Sequence, residues 1–193
     1  MEELRQAIRQ WGRGIGSDVV KVDSFINHRI DVGLLNRMGQ ALADHFRGDK
    51  PDVILTVEAS GIALAVTTAQ ALGNLPVIFA KKHEAATQRG TMLRETVHSY
   101  THGNEYDMRV SADLLTPGTR VLIVDDFLAD GESVRGMTSL IRQAGASLVG
   151  VGVAIEKGFQ HGGRLLREKG VKLLSLSVVT SIRDGQVMLE DDR

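Results

Sequence analysis

The chain of 193 residues contains no cysteine, which excludes disulfide bonds and thiolate metal sites. It has no apolar run near the roughly 18 residues that a membrane-spanning helix requires, so we expect no membrane partner. Neither sign of charge dominates, because 23 lysine and arginine residues stand against 24 aspartate and glutamate residues. Without a basic field we expect no nucleic-acid partner. A chain without disulfides fits a reducing compartment, and we expect a cytoplasmic location.

Several motifs with well-defined chemistry are also missing. The sequence has no GxxxxGK[ST], GxGxxG or GxSxG pattern, so nucleotide hydrolysis, dinucleotide binding and serine hydrolysis are not first choices. The stretch HEAAT at residues 83–87 lacks the second histidine of the zinc-protease motif. His98 and His102 are four residues apart, but their segment has no helical pattern, which disfavours a metal site there.

Apolar runs with strand character alternate with helical patterns along the chain. The strand-like runs cover residues 53–57, 77–80, 121–124, 148–155 and 171–179. Helical spacing of apolar residues occurs before the first run, after it, and after the third. This alternation predicts an α/β fold with helices on both faces of a mostly parallel twisted sheet. The length fits one domain over residues 1–193.

A polar segment, residues 84–107, interrupts the alternation of strands and helices. Within it, apolar and polar residues alternate only briefly, around residues 96–100. A stretch of this length inside a compact domain is usually a mobile functional loop or a hairpin. Both structures remain open from the residues alone.

The stretch VLIVDDFLADGES, residues 121–133, combines a buried strand, two acids, a glycine turn and a helix. Ligands of open α/β sheets bind beyond the carboxyl ends of the strands, where Asp125 and Asp126 fall. Carboxylates suit ribose hydroxyls, or a Mg²⁺ ion that carries them. The helix N-terminus and Gly131 suit a phosphate. The pattern predicts a sugar-phosphate site, against the alternative of an acid pair that merely ends a strand.

A second strand–turn–helix unit surrounds residues 58–61, EASG. Its small residues expose backbone N–H groups that suit an anion. The alternative is an ordinary turn in which Ser60 caps the helix. The basic residues Lys81 and Lys82 follow the next strand, where they would neutralise a leaving anion on the ligand side or would simply be solvated.

The stretch VLIVDDFLADGES resembles the phosphoribosyl pyrophosphate (PRPP) motif of the type I phosphoribosyltransferases. Four further stretches resemble the members of that family that act on xanthine: KVDSFINH at 21–28, TVEASGI at 56–62, FAKKH at 79–83 and IEKGFQ at 155–160. The likeness extends from Met1 to about Val179. It implies a hood over the purine from residues of about 1–30 and 155–193, and a flexible lid at about 84–107.

The resemblance also implies roles for particular residues. Asp125 and Asp126 are the catalytic pair and the candidate ligands of a Mg²⁺ ion that binds with PRPP. The PRPP-binding turn consists of Ala129, Asp130, Gly131, Glu132 and Ser133. The pyrophosphate-binding residues are Ala59, Ser60, Gly61 and Lys82. A lysine like Lys82 reaches the neighbouring subunit's site in related enzymes, so we expect a homodimer.

The expected base-binding residues are Val20, Asn27 and Lys157. Xanthine has carbonyl oxygens at C2 and C6, so its pocket requires hydrogen-bond donors at both positions. Lys157 is a donor only, which suits O6 and opposes the 6-amino group of adenine. Asn27 can donate to O2, but a flipped amide would accept from the 2-amino group of guanine. The family position of Val20 contacts the base through its backbone.

One residue departs from the hypoxanthine–guanine members of the family, which have an aspartate three residues after the acid pair. Here that position is Ala129. We interpret the change through xanthine itself, an acidic purine whose anion needs less help from a base. The alternatives are a guanine or hypoxanthine phosphoribosyltransferase and a PRPP-sensing regulator that binds DNA. The regulator is disfavoured because only about 50 residues precede the first core strand, with no second basic helix to read a DNA groove.

Overall fold

The computed structural model describes residues 1–82, 90–99 and 104–192. Its helices are α1 (Glu2–Trp11), α2 (Val32–Phe46), α3 (Gly61–Ala71), α4 (Glu132–Gln143) and α5 (Gly162–Glu168). Its strands are β1 (Arg13–Ile15), β2 (Val19–Lys21), β3 (Val53–Val57), β4 (Val77–Ala80), β5 (Met92–Ser99), β6 (Asn104–Ser111), β7 (Arg120–Leu128), β8 (Ser147–Lys157), β9 (Leu173–Arg183) and β10 (Gln186–Leu189). A short π-helical turn covers Asp23–Asn27, and a 3-10 turn covers Arg47–Asp49.

Six strands form the central sheet in the order β10-β9-β8-β7-β3-β4. Neighbours from β9 to β4 are parallel, and β10 runs antiparallel to β9. The mostly parallel sheet is confirmed. The strand order reverses between β3 and β7, so the segments that follow these two strands diverge and leave a crevice between them. Residues 58–61 and 129–133 follow β3 and β7, which brings the two predicted anion turns together.

Helices cover both faces of the sheet, as the alternation predicts. On one face α2 buries Met38, Leu42 and Phe46 against the strands. On the other face α4 buries Met137 and Ile141. All five residues of β3 are buried, as expected for a strand between two helical layers. The Asp31 side chain accepts a hydrogen bond from the Leu34 N–H at 2.9 Å and so caps the start of α2.

The strand β7 is longer than its apolar run predicts. We expected residues 121–124, but the strand continues to Leu128 and includes the acid pair. Its pairing with β3 ends at Ile123, whereas its pairing with β8 continues to Leu128. The last residues of β7 are therefore bonded on one side and open on the other.

The described part of the 84–107 segment contributes to an antiparallel hairpin of β5 and β6, in which Val97 pairs with Tyr106. Val97 and Met108 are buried in the core on the α4 face. The hairpin is one of the two structures that the sequence left open. Residues 83–89 and 100–103, and with them His83 and His102, lie outside the described residues, and closure of a lid stays a prediction.

The two terminal segments pack against each other. Helix α1 contacts β9 and β10, and the strand β1 contacts both as well. The Met1 ammonium donates to the Leu176 carbonyl, and the Gly14 N–H donates to the Gly185 carbonyl at 2.9 Å. The expected hood role of these segments stays a prediction. Among the described helices, none has both the length and the apolar character that crossing a membrane requires.

Candidate active site

The acid pair lies on the open part of β7, and both side chains are buried, with exposed fractions of 5% for Asp125 and 6% for Asp126. Asp125 Oδ1 accepts the Asp126 backbone N–H at 2.9 Å. Burial, and then the charge of Asp126, raise the pKa of Asp125 well above its ordinary value. Two carboxylates held this close, away from water, favour a ligand that supplies hydroxyl donors or positive charge.

Asp126 joins three distant segments of the chain. Its Oδ1 accepts from the Ser60 hydroxyl at 3.0 Å, and its Oδ2 accepts from the Asn27 amide nitrogen at 3.2 Å. Ser60 occupies the position before α3, but its side chain makes no capping hydrogen bond. The Ser60 hydroxyl donates to Asp126 instead, so the interpretation of Ser60 as a side-chain cap of α3 is wrong. The acid pair and the EASG turn form one unit.

The EASG turn is packed so closely on the acid pair that residue 61 must be glycine. A Cβ atom at Gly61 would lie 2.3 Å from Thr56 Oγ1 and 2.7 Å from Asp125 Oδ1. The turn contains a cis peptide bond between Glu58 and Ala59. Glu58 Oε1 accepts the Lys82 backbone N–H at 2.6 Å. This bond holds the start of the basic segment beside the turn.

The turn after β7 contains Gly131, whose φ of 87° lies in the left-handed region that glycine adopts at little cost. Gly162 supports this turn from behind, since its N–H donates to the Ala129 carbonyl at 3.1 Å. A Cβ atom at Gly162 would lie 2.3 Å from that carbonyl oxygen and 2.7 Å from the Gly131 nitrogen. The Glu132 carboxylate accepts from Arg135 Nε at 2.9 Å, so its side chain is engaged within α4.

Sequence reasoning missed Gly162, although the glycine pair at residues 162–163 was its visible signal. Its helix, α5, is held by Arg167, which donates two hydrogen bonds of 2.7 Å to the buried carboxylate of Glu156. Burial alone would raise the pKa of Glu156, but the bonds from Arg167 and Ser175 lower it. A Cβ atom at Gly163 would collide with the same carboxylate, 1.9 Å from Oε1. The Glu156–Arg167 pair therefore fixes the support of the turn.

A cavity of about 190 Å³ opens between the two turns. Of the predicted residues, its wall contains Ser60, Lys82, the acid pair and residues 129–133. The wall also contains Glu58, His98 and Tyr106, which sequence reasoning did not select. The hairpin supplies His98 and Tyr106, and no local pattern indicates that this hairpin would fold over the acid pair.

The predicted base-binding residues lie outside the wall of this cavity. Lys157 is buried at the end of β8, and its ammonium donates to the Asp18 carbonyl at 2.7 Å. Burial lowers the pKa of Lys157, while the carboxylates of Asp18 and Asp130 oppose that effect. Val20 is buried in β2, two residues from Asp18. Asn27 connects this region to the cavity through its bond to Asp126.

A phosphoribosyl transferase domain model matches residues 33–188 of the chain, which includes both turns and the acid pair. The chain belongs to the phosphoribosyltransferase family. It is 48% identical over 187 residues to xanthine phosphoribosyltransferase of Clostridioides difficile (strain 630), covering 97% of this chain and 98% of that protein. It is 46% identical to xanthine phosphoribosyltransferase of Laribacter hongkongensis (strain HLHK9), with the same coverage.

Solved structures share the fold of this phosphoribosyltransferase. Adenine phosphoribosyltransferase from Trypanosoma brucei superposes with a TM-score of 0.77 at 20% identity, covering 94% of this chain and 81% of that chain. The enzyme from Thermoanaerobacter pseudethanolicus gives a TM-score of 0.66 at 24% identity, covering 77% and 81% of the two chains. At these identities the likeness concerns the fold alone, and it confirms the expected fold class.

The acid pair of this phosphoribosyltransferase presents the hard oxygen atoms that Mg²⁺ prefers. Glu58, Asp125 and Asp126 line the cavity, and a protein-bound Mg²⁺ usually keeps several ligands from water or phosphate groups. In the part of the chain that the structure describes, no group of three or more His, Cys, Asp or Glu residues could hold a metal ion.

Proposed function

We propose that the protein transfers the 5-phosphoribosyl group from PRPP to N9 of xanthine, releasing pyrophosphate and xanthosine 5′-monophosphate. The observation that carries the proposal is the bond between Ser60 and Asp126. It joins the EASG turn to the acid pair, and residues 129–133 line the same cavity, an arrangement that suits a sugar with phosphate groups at both ends. The names of the relatives from C. difficile and L. hongkongensis support xanthine as the base.

In this proposal the two turns divide the PRPP molecule between them. Backbone N–H groups of residues 129–133 and the Ser133 hydroxyl bind the 5-phosphate at the positive end of α4. The EASG turn, with Ala59, Ser60 and Gly61, and the Lys82 ammonium bind the pyrophosphate. Asp125 and Asp126 accept hydrogen bonds from the ribose hydroxyls. The ribose is thereby held with C1′ exposed to the incoming base.

The reaction breaks the bond between C1′ and the pyrophosphate oxygen and forms the bond between C1′ and N9. Negative charge grows on pyrophosphate, where Lys82 and the backbone N–H groups stabilise it. Bound Mg²⁺, held by PRPP oxygens with Asp125 and Asp126 as its candidate protein ligands, would supply further neutralisation of that charge. Ala129 offers no carboxylate near N7 to take the proton that neutral xanthine must lose when N9 bonds to C1′, so we propose that xanthine enters as its anion.

The contacts of Asn27 and Lys157 support xanthine over adenine. An ammonium has three donors, so Lys157 keeps two after its bond to the Asp18 carbonyl. A carboxylate only accepts, so the Asn27 amide must turn its NH₂ group toward Asp126. That orientation leaves a second N–H for O2 of xanthine. The Val20 backbone completes the proposed pocket.

We also propose a cytoplasmic homodimer. Lys82 lines the cavity of its own chain, so its position does not support a dimer. The support for a dimer comes from an exposed surface next to the basic segment. Phe79, on the last strand of the described sheet, is 41% exposed, and Leu114 is 63% exposed. Both line one shallow, largely apolar surface, of a kind that often marks a protein interface. Analytical ultracentrifugation of the wild type and Phe79→Glu should give a dimer and a monomer, and a monomeric wild type contradicts the proposal.

A substrate panel tests the proposed reaction. The purified protein is mixed with Mg²⁺ and PRPP and with xanthine, guanine, hypoxanthine or adenine, and the nucleotide products are separated and quantified. We expect xanthosine monophosphate to form fastest by kcat/KM. Faster turnover of guanine would leave the phosphoribosyl transfer intact and overturn the base assignment. Product with adenine but not xanthine would contradict the roles of Asn27 and Lys157.

A further inference from the structure

The base of the β5–β6 hairpin is fixed against α4. Glu95 accepts from the Ser139 hydroxyl at 2.6 Å and from Arg135 at 3.0 Å. A Cβ atom at Gly136 of α4 would lie 2.6 Å from Val97 Cγ2, so the two elements are in close contact. The hydrogen bonds of Glu95 and the packing of Val97 on Gly136 together fix the position of the hairpin. Side chains on its cavity face are therefore positioned before any ligand arrives.

Tyr106 projects from this fixed hairpin into the wall of the cavity, opposite Val97. Its hydroxyl lies 3.4 Å from the Ser133 hydroxyl, at the first turn of α4. The Lys82 ammonium lies 5.1 Å from the centre of its ring, within the range of a cation–π contact. One side chain thus contacts a residue of each anion-binding region.

The Tyr106 hydroxyl is suited to donate to an anion. Burial raises the pKa of Tyr106 above its ordinary value, so the phenol keeps its proton and its donor at neutral pH. Ser133 presents a second hydroxyl donor beside it, and the N-terminus of α4 adds unpaired N–H groups of the same polarity. The two hydroxyl oxygens are only 3.4 Å apart, so a single phosphate group can accept a hydrogen bond from each of them.

We propose that Tyr106 is a further PRPP-binding residue: its hydroxyl donates to the 5-phosphate together with Ser133, and its ring holds the Lys82 ammonium on the pyrophosphate side. This inference rests on the proposed function, because it places the two ends of PRPP in that cavity. It predicts that the hydroxyl and the ring act on different ends of the substrate. The hydroxyl acts on the sugar phosphate, and the ring acts on pyrophosphate.

Two substitutions separate these contributions. Calorimetric titrations use ribose 5-phosphate and magnesium pyrophosphate as separate probes. Tyr106→Phe should weaken ribose 5-phosphate binding about fivefold, the value of one hydrogen bond, and leave pyrophosphate binding within about twofold. Tyr106→Leu should also weaken pyrophosphate binding by about threefold, because it removes the ring beneath Lys82. In turnover assays, Tyr106→Phe should raise the KM for PRPP about fivefold and change kcat little.

A matched control removes a hydroxyl from the same hairpin. Thr96→Val deletes an exposed hydroxyl that donates to Asp107, away from the cavity wall, and should change neither titration. Ser133→Ala should reproduce the selective loss of ribose 5-phosphate binding. Wild-type affinity for ribose 5-phosphate in folded Tyr106→Phe overturns the proposal, as does an equal loss for both probes. A wild-type protein that binds neither probe contradicts the proposed function instead.

Discussion

The turn that follows β7 and the residues proposed to select the base differ in how the chain assembles them. The turn is continuous, from Ala129 to Ser133, and Gly162 of α5 supports it. Of the proposed base-selecting residues, Val20 and Asn27 lie near the start of the chain and Lys157 lies more than a hundred residues further on. Asp126 and the Asp18 carbonyl hold Asn27 and Lys157 in place. A phosphate site can be built locally from backbone N–H groups, whereas a base pocket requires side chains that converge from several elements.

The difference has a consequence for specificity. Backbone N–H groups recognise any phosphate in the same way, so the turn can serve every member of the family. Side-chain donors distinguish one purine from another, since an unmatched donor or acceptor leaves a buried polar group without a partner. Changes in the turn should therefore impair PRPP binding for all bases. Changes at Asn27 or Lys157 should alter the choice of base and leave PRPP binding intact.

The largest effect should come from Gly162→Ala, which attacks the support of the turn. The added Cβ atom would lie 2.3 Å from the Ala129 carbonyl oxygen, so the turn must shift. Because positioning errors of about 1 Å can cost on the order of 100-fold, we expect kcat/KM for PRPP to fall about 100-fold with every base. Steady-state kinetics measure the loss. Gly48→Ala, where a Cβ atom meets nothing within 4 Å, is the control and should behave as the wild type.

The second effect concerns the base alone. Lys157→Met removes the donors but keeps a long apolar side chain, and we expect kcat/KM for xanthine to fall about 10- to 100-fold, the value of a charged hydrogen bond. Binding of PRPP without a base, measured by calorimetry, should stay within about twofold. A comparable loss of PRPP affinity would show that the two regions are not independent, and the comparison above would be wrong.

The smallest effect is on thermal stability and involves Asp125, which lies in β7 shortly before the turn. Its folded pKa is raised above 3.8 by burial and by Asp126, so the folded state is penalised once this group ionises. The penalty grows as pH rises through the window from 3.8 to the raised pKa and is absent below it. Asp125→Asn should therefore raise the melting temperature at pH 7.5 by about 2–4 °C, lose that advantage toward pH 3, and lower the transfer rate.

Asp52 is the matched control with the opposite sign. Hydrogen bonds from Arg120 lower the pKa of this exposed carboxylate from 3.8 to about 2. Its contribution to stability is present above 3.8 and is lost as pH falls toward 2. Asp52→Asn should therefore lower the melting temperature at pH 7.5. Thermal unfolding of both variants against pH decides the sign, and a destabilised Asp125→Asn at pH 7.5 would contradict the burial argument.

Much of the fold could be predicted because local periodicity reports burial. The five apolar runs became strands, and the helical patterns became α2, α3 and α4. The end of β7 was predicted too early, since polar residues usually mark the end of a buried strand. Asp125 and Asp126 remain in the strand because β8 continues to pair there while β3 does not. That difference between neighbours has no signal in residues 121–133 themselves.

The candidate site, like the fold, could be predicted where its signals are local and not where it depends on contacts between distant elements. The two turns could be found because each is a short continuous motif with its own backbone chemistry. Three contacts could not be found in this way: the Ser60 bond to Asp126, the support of the turn by Gly162, and the position of Tyr106 beside Ser133. Each joins residues between 27 and 66 positions apart, whose contact depends on how whole elements pack.

The sequence by itself determined an α/β chain with an acid pair and two turns suited to anions, because strand, turn and helix signals are local. The family resemblance added which residues would select the base. Only the tertiary structure decided that the two turns face each other across the crevice between β3 and β7, that the Asn27 amide faces Asp126, and that a hairpin brings Tyr106 to Ser133. The physical reason is that sheet order and packing set these distances, and neither is encoded in any single segment.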